Sequence, residues 1–355
     1  MKIGHIGSYN INLGDNVALL NARAGFEKHI DNIEWVSIPI QKFWSFRNNQ
    51  EETIKLLNKD YDCILVGGGG LIEYSFGYEK QETNYKLPFN KEILSSLNCP
   101  VFFIGLGINT FRGGSEPSEQ AKLAIKETID FSALFSLRND GSAGVLKSIG
   151  LSSPKVEVIP DPGLIFDYSK NRKSQIKKSC IQPAFNSNPK LNDDRYKEPE
   201  NLKRLKAFAD NNKLKAMPHS IKDFKIFKSF LFSADSFKEE VLFKHTNQLV
   251  KTYLNIDSIV AMRGHGQLIS IGLNIPGLYL STQDKVRDFS LLNGFKDFNV
   301  DIEEEGWCDL LQYKHDKLIS DNNFLDSWYQ IKQNKEKEWK NIFDSFVEKC
   351  VKMIQ

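Results

Sequence analysis

Two hydrophobic patterns alternate along the chain. Short apolar or β-branched runs predict strands at Lys2–Gly7, Ile33–Ile38, Cys63–Val66, Val101–Gly105, Ala133–Leu137 and Val156–Ile159. Between them, apolar residues recur at helical spacing over Asn16–His29, Glu51–Leu57, Lys91–Leu97, Glu119–Thr128 and Gly141–Ser148. Strands separated by crossover helices pair in parallel, which predicts a doubly wound α/β sheet. The alternation stops at Lys170–Lys178, a run with five basic residues and no acidic one, read as a linker. It then restarts, with strands expected at Ser179–Gln182, Leu214–Met217, Ser258–Met262 and Gly277–Leu280. Helices are expected at Asn201–Asn211, His245–Leu254, Gly266–Gly272 and Lys285–Asn293. One or two closing helices follow from Asn322 to Ile354, with Phe324, Trp328, Ile331, Ile342 and Phe346 on one apolar stripe. The expected organisation is two Rossmann-like domains facing a cleft, residues 1–170 and 171–322, with helices 323–355 packing back on the first.

Composition narrows the class. The 355 residues are 41% hydrophobic and 26% charged, with a formal net charge of +2. That balance carries no nucleic-acid signature, so any preference for anions must be local. Five scattered cysteines (Cys63, Cys99, Cys180, Cys308, Cys350) form no CxxC or Cys/His cluster. Reduced thiols in a cytoplasmic protein are expected, without metal or bound cofactor. The opening MKIGHIGSYN lacks the apolar core of a signal peptide, and the longest apolar run, Pro100–Ile108, is half a membrane span. The basic linker can touch anionic lipid, which gives a peripheral contact at the inner face of the cell membrane. The sequence carries no signal of oligomeric state.

In open parallel sheets, ligands bind beyond the carboxyl ends of the strands, so residues there bear the chemistry. After the first strand, Asn12 and Gly14 allow a tight turn, and Asp15 serves either as a helix cap or as a cleft-facing base. Gly67–Gly70 follows the third strand directly; Gly68 and Gly69 bring backbone N–H groups close to an oxyanion or simply permit tight packing. Gly107 and Asn109 repeat that theme at the next strand end. Arg138 ends a strand as well, where it either grips a carboxylate or phosphate or forms a structural ion pair. Asp161-Pro162-Gly163 reads as a rigid turn. The most informative stretch is Arg263-Gly264-His265, expected to be extended so that both side chains point one way into the cleft, ahead of a helix N-terminus that favours anions. His219 and Lys285 lie at neighbouring strand ends. Two long connections, Ile72–Phe89 and Phe185–Pro199, are candidates for function; Tyr74, Phe76, Tyr78 and Tyr85 in the first can stack on a sugar.

In this order, Asn12-x-Gly14-Asp15, Gly67–Gly70, Gly105-x-Gly107-Ile108, Ser136-x-Arg138…Ser142, Asp161-Pro162, Arg263-x-His265, Pro276 and Lys285 resemble the polysaccharide pyruvyl transferase family. The sequence departs from the family pattern at Asn139, where an Asp is usual, and at Gly264 and Gly266-Gln267. The resemblance implies a GT-B-like fold, phosphoenolpyruvate as co-substrate and donor, and a sugar diol of a cell-surface glycan or its lipid-linked precursor as acceptor. On that footing Arg263, Arg138, Lys285 and His219 hold the donor, His265 is the acid, Asp15 the base, and Asn12, Gly14, Gly68, Gly69, Gly107 and Asn109 form acceptor or phosphate loops. Two rivals share the architecture: a nucleotide-sugar glycosyltransferase, and a non-catalytic glycan-assembly subunit.

Overall fold

The computed structural model describes the chain except residues 10–11, 46–48, 75–82, 113, 183, 185–198, 221–222 and 224–245. Among the described residues, eleven strands fall into two parallel sheets. The first holds β1 (Lys2–Gly7), β2 (Glu34–Pro39), β3 (Cys63–Ile72), β4 (Val101–Ile108), β5 (Leu134–Arg138) and β6 (Val156–Ile159), in the order β2-β1-β3-β4-β5-β6. The second holds β7 (Ser179–Gln182), β8 (Lys215–Ala216), β9 (Ser258–Ala261), β10 (Gly277–Ser281) and β11 (Asn299–Asp301), in the order β11-β10-β9-β7-β8. In each sheet the order reverses once, between β1 and β3 and between β7 and β9.

The helices are α1 (Leu13–Glu27), α2 (Gln41–Ser45), α3 (Gln50–Leu57), α4 (Lys91–Ser95), α5 (Glu119–Phe131) and α6 (Ser142–Ser148) around the first sheet. Around the second are α7 (Pro199–Asn211), α8 (Thr246–Leu254), α9 (Gly264–Gly272), α10 (Asp284–Leu292) and α11 (Trp307–Ser320), and the chain closes with α12 (Asn322–Ile354).

Both faces of the first sheet are covered, so its central strands β3 and β4 are buried almost throughout and successive residues enter different cores. Leu65, Phe102 and Ile104 belong to one hydrophobic cluster, and Ile64, Val66 and Phe103 to the other. The first of these clusters continues through Phe343, Phe346 and Val347 of α12 to Tyr279 of β10 and to Phe298 just ahead of β11. Helix α12 therefore touches both halves. A Cβ on Gly25 of α1 would lie 2.7 Å from the Phe343 ring, while Trp328 Nε1 donates to Tyr279 Oη at 3.2 Å.

Several expectations need correction. The buried stripe of α12 runs through Leu325, Trp328, Tyr329, Trp339, Phe343, Phe346 and Val347; Ile342 is exposed and Phe324 and Ile331 are half-buried. Helices α2 and α11 and strand β11 are additions. A three-residue strand is too short to show a period, and β11 is recognisable only by its pairing with β10. Tyr85 is not a sugar platform: it is fully buried, and its hydroxyl meets Thr128 Oγ1 and donates to the Phe89 carbonyl. Tyr74 is buried too; Phe76, Tyr78 and the connection 185–198 lie outside the described residues. In the basic linker, Lys170 pairs with Asp257 and Arg172 with Asp326. Among the described residues, no helix is long and apolar enough to cross a membrane.

Candidate functional site

The carboxyl ends of both sheets meet, and at the point of contact two helix N-termini abut. Helix α1 leaves β1 through Asn12, whose side chain accepts from the Gly14 N–H. Asn12 is thus the cap, and Asp15 sits one turn in with its carboxylate turned toward the opposite sheet. Leu13 N–H donates to the His219 carbonyl at 3.1 Å, so an orphan amide of α1 is satisfied from the second half of the chain. Gly14 has no room for a side chain, because a Cβ there would stand 2.4 Å from His265 Cβ.

Helix α9 begins at Gly264, with Arg263 as its N-cap residue at φ −105°, ψ 146°. This corrects the expectation of an extended Arg-x-His segment with both side chains pointing one way. The helix starts between the two, and they diverge. Arg263 presents Nε and Nη2 to the two oxygens of the buried Asp223, with Nε to Oδ2 at 2.9 Å, and its N–H donates to Gln182 Oε1. His265 crosses to α1, where Nδ1 lies 2.9 Å from Asp15 Oδ1. Its Nε2 faces Asp161 Oδ2 at 3.6 Å.

Arg138 is buried beneath this pair at 3% exposure, with Nε on Asp140 and Nη1 on Asp161 Oδ2 at 3.0 Å. Expected as a donor clamp, it forms a structural ion pair instead, because two carboxylates take its fork. Gly107 lies against it; a Cβ there would be 2.3 Å from the guanidinium carbon. The departure at Asn139 does not disturb Arg138, since Asp140 supplies the carboxylate. Asn139 accepts from the Asp161 N–H and donates to Asn293 across the cleft at 3.0 Å.

Lys285, in the first turn of α10, reaches over to Asn109 Oδ1 at 2.9 Å, and Asn109 donates to the Gly70 carbonyl. Gly68 and Gly69 have φ of +83° and +149°, values that suit glycine. Strand β3 continues through them to Ile72, so they are an irregular stretch of the strand rather than a free loop. A Cβ on Gly69 would lie 3.2 Å from Asp15 Oδ1, and one on Gly68 would strike Leu19. His219 is buried, with Nε2 2.8 Å from Tyr253 Oη. Sequence reasoning missed Gln182 and Tyr253, which lie near the poorly patterned middle of the chain, and gave Asp223 no role. It read Asp161 only as a turn.

Electrostatics follow from these contacts. Burial opposes a charge on His265, but the Asp161 charge and the bond to Asp15 outweigh it and raise its pKa to about 9. Asp161 is fully buried, yet His265 and Arg138 hold it down at about 2. Burial, reinforced by Arg138, lowers Lys285 to about 8, so its ammonium is charged at neutral pH but close to titrating. His219 is held neutral by burial, with Arg263 and His265 adding to the effect. The arrangement can hold an anion against Arg263, Lys285 and two helix N-termini, and can give or take a proton at the Asp15–His265 pair.

Comparison with known proteins identifies the fold and the family. MnaA of S. aureus in complex with UDP superposes with a TM-score of 0.51 at 13% identity, covering 93% of this chain and 90% of that one. UDP-GlcNAc 2-epimerase from Neisseria meningitidis bound to UDP-GlcNAc gives 0.52 at 13%, with 94% of each chain covered. Anabaena HepE in complex with UDP and glucose gives 0.54 at 11%, covering 99% and 98%. These likenesses establish a GT-B-like two-domain α/β fold. No curated protein matches the chain. The family model described as polysaccharide pyruvyl transferase matches residues 12–284, from the cap of α1 to the start of α10, and the chain belongs to that family.

Proposed function

We propose that this protein transfers the enolpyruvyl group of phosphoenolpyruvate to two neighbouring hydroxyls of a sugar in a cell-surface glycan or its lipid-linked precursor, forming a pyruvate ketal. The observation that carries the reading is the Asp15–His265 bond, made where the switch points of both sheets meet. Around it lie cations suited to a donor with a carboxylate and a phosphate: Arg263, its plane fixed by Asp223, and Lys285, supported by Asn109. The α1 and α9 N-termini add their partial positive charge.

In this scheme the pair gives a proton to C3 of the donor, and positive charge develops at C2. The first sugar hydroxyl adds at C2 and its proton returns to the Asp15–His265 pair. Phosphate then leaves with the electron pair of the C2–O bond, the second hydroxyl closes the ketal, and its proton departs with the phosphate. Each step moves charge across a site whose dipoles are already oriented, which is where most of the rate is expected to arise. No bound cofactor or metal is part of the proposal, and turnover is expected to survive chelation of divalent ions.

A nucleotide-sugar glycosyltransferase would use the same fold with a different donor. A ligand that binds only the folded state raises the unfolding temperature, so a donor screen separates the two readings. Phosphoenolpyruvate is expected to protect and uridine or guanosine diphosphate sugars to leave the transition unmoved; the reverse pattern defeats the proposal.

A further inference from the structure

His265 sits in an alternating string of charges. From the cleft inward run Asp15, His265, Asp161, Arg138 and Asp140, each in contact with the next. With a neutral imidazole, three carboxylates would share one guanidinium in a region where Asp161 is 0%, Arg138 3% and Asp140 4% exposed. Unbalanced charge is costly at such depth. A protonated imidazole makes the charges alternate and halves the excess, from two negative charges to one. Asp161 is itself held in place: Oδ1 accepts from the Gly163 N–H at 2.7 Å and Oδ2 from Arg138 at 3.0 Å.

The ring geometry points the same way. Nδ1 is spent on Asp15, whereas Nε2 is buried with no hydrogen-bond partner among the described residues and only the Asp161 carboxylate, at 3.6 Å, facing it. The other groups facing the ring are His219 from the loop after β8 and Arg263 beside it, with Lys285 coupled through Asp15. His219 is neutral and the two cations oppose a charge on His265, so the carboxylates alone favour it.

We infer that Asp161 is the positioning residue of the pair: backed by Arg138, it keeps the His265 imidazole doubly protonated and turns Nδ1–H toward Asp15, so that each turnover starts with a proton to give. The inference rests on the acid–base role proposed above for Asp15 and His265. Asp161 itself need not touch substrate. The short sequence Asp161-Pro162-Gly163 suits this task, since the turn places a glycine N–H on the carboxylate and leaves Gly163 3.3 Å from His265 Cδ2 at the point where a Cβ would project.

The test is a histidine-selective NMR titration of the resting protein, with His265→Gln to assign its signal among the six histidines. His265 should stay charged until pH approaches about 9, and in Asp161→Asn its midpoint should fall toward the ordinary 6.5. Arg138→Lys, which keeps the charge but not the fork, should give an intermediate midpoint. In turnover assays, Asp161→Asn should lower kcat roughly tenfold to a hundredfold, with little change in KM for phosphoenolpyruvate and an alkaline limb moved to lower pH. A merely structural role would lower the unfolding temperature and leave that limb in place. A wild-type His265 midpoint near 6.5 overturns the inference whatever the donor proves to be, even if Asp161→Asn does not fold. A midpoint near 9 in a protein that ignores phosphoenolpyruvate would instead defeat the proposed reaction.

Discussion

Asp15 and His265 hydrogen-bond across the cleft, so replacing either leaves the other without its partner. Both His265→Gln and Asp15→Asn should lower saturated turnover about a hundredfold or more, the scale of a lost positioned acid. The double variant should be scarcely slower than the worse single one, because the two act as a unit. Losses that multiply would mean separate roles on donor and acceptor. Arg263→Ala should instead weaken phosphoenolpyruvate binding by about 2–4 kcal/mol in calorimetry. The same groups shape stability against pH. His265 has a folded pKa raised to about 9, so its contribution is complete below about 6.5 and is lost as pH rises through 9. Asp161, lowered to about 2, contributes above about 3.8 and loses this as pH falls through 2. Lys285 has the opposite sign to His265: lowered to about 8, it costs stability while charged and relieves that cost as pH rises from 8 to its ordinary 10.5. Denaturant midpoints from pH 6 to 8 should therefore fall less in His265→Gln than in the parent. Residue types at the strand ends made Asp15 and His265 readable as candidates. Their mutual contact was not readable, because 250 residues separate them and only the facing of two sheets joins them.

Helix starts decide where these side chains go. The start of α9 at Gly264, two residues before the expected Gly266, separates Arg263 from His265, and the periodicity of Gly264–Gly272 leaves that onset undefined because its first residues include two glycines. Helix α1 was expected to begin at Asn16; the Asn12 cap moves its start to Leu13 and with it the aim of Asp15. Glycines at these ends are spacers between close elements. Gly14→Ala drives a methyl against His265 Cβ at 2.4 Å, with backbone on both sides, so α1 and α9 must separate. A loss of about 1–3 kcal/mol is expected in chemical denaturation, together with a turnover defect as large as that of His265→Gln. Gly144→Ala is a fit control, since nothing lies within 4 Å of its Cβ position. Normal activity in Gly14→Ala would show that the close approach of the two helices is not needed.

At the scale of the molecule, the strand–helix alternation gave both sheets, since a period of two or of 3.6 survives without tertiary information. How the sheets face each other was out of reach, because it depends on few and distant contacts. Arg112 is the strongest of these that is free of the proposed chemistry: it binds Asp301 through both terminal nitrogens, at 2.8 and 2.7 Å, and Asp284 through Nε at 3.0 Å. Arg112→Ala leaves Asp284 and Asp301 with Arg287 as their remaining cation and should cost up to about 3 kcal/mol, with a larger radius of gyration in solution scattering if this contact holds the cleft shut. An unchanged radius would assign closure to α12, whose apolar face spans both halves. The closed cleft has a purpose only if the proposed donor reacts there, and phosphate release decides that. Purified protein is mixed with phosphoenolpyruvate and a panel of galactosides, mannosides and glucosides, and free phosphate is followed alongside the mass of each glycoside. The account predicts phosphate release that depends on one class of acceptor, is matched by a pyruvate ketal on that acceptor, and disappears in His265→Gln. Intact phosphoenolpyruvate across the panel, with a nucleotide sugar consumed in its place, would contradict it.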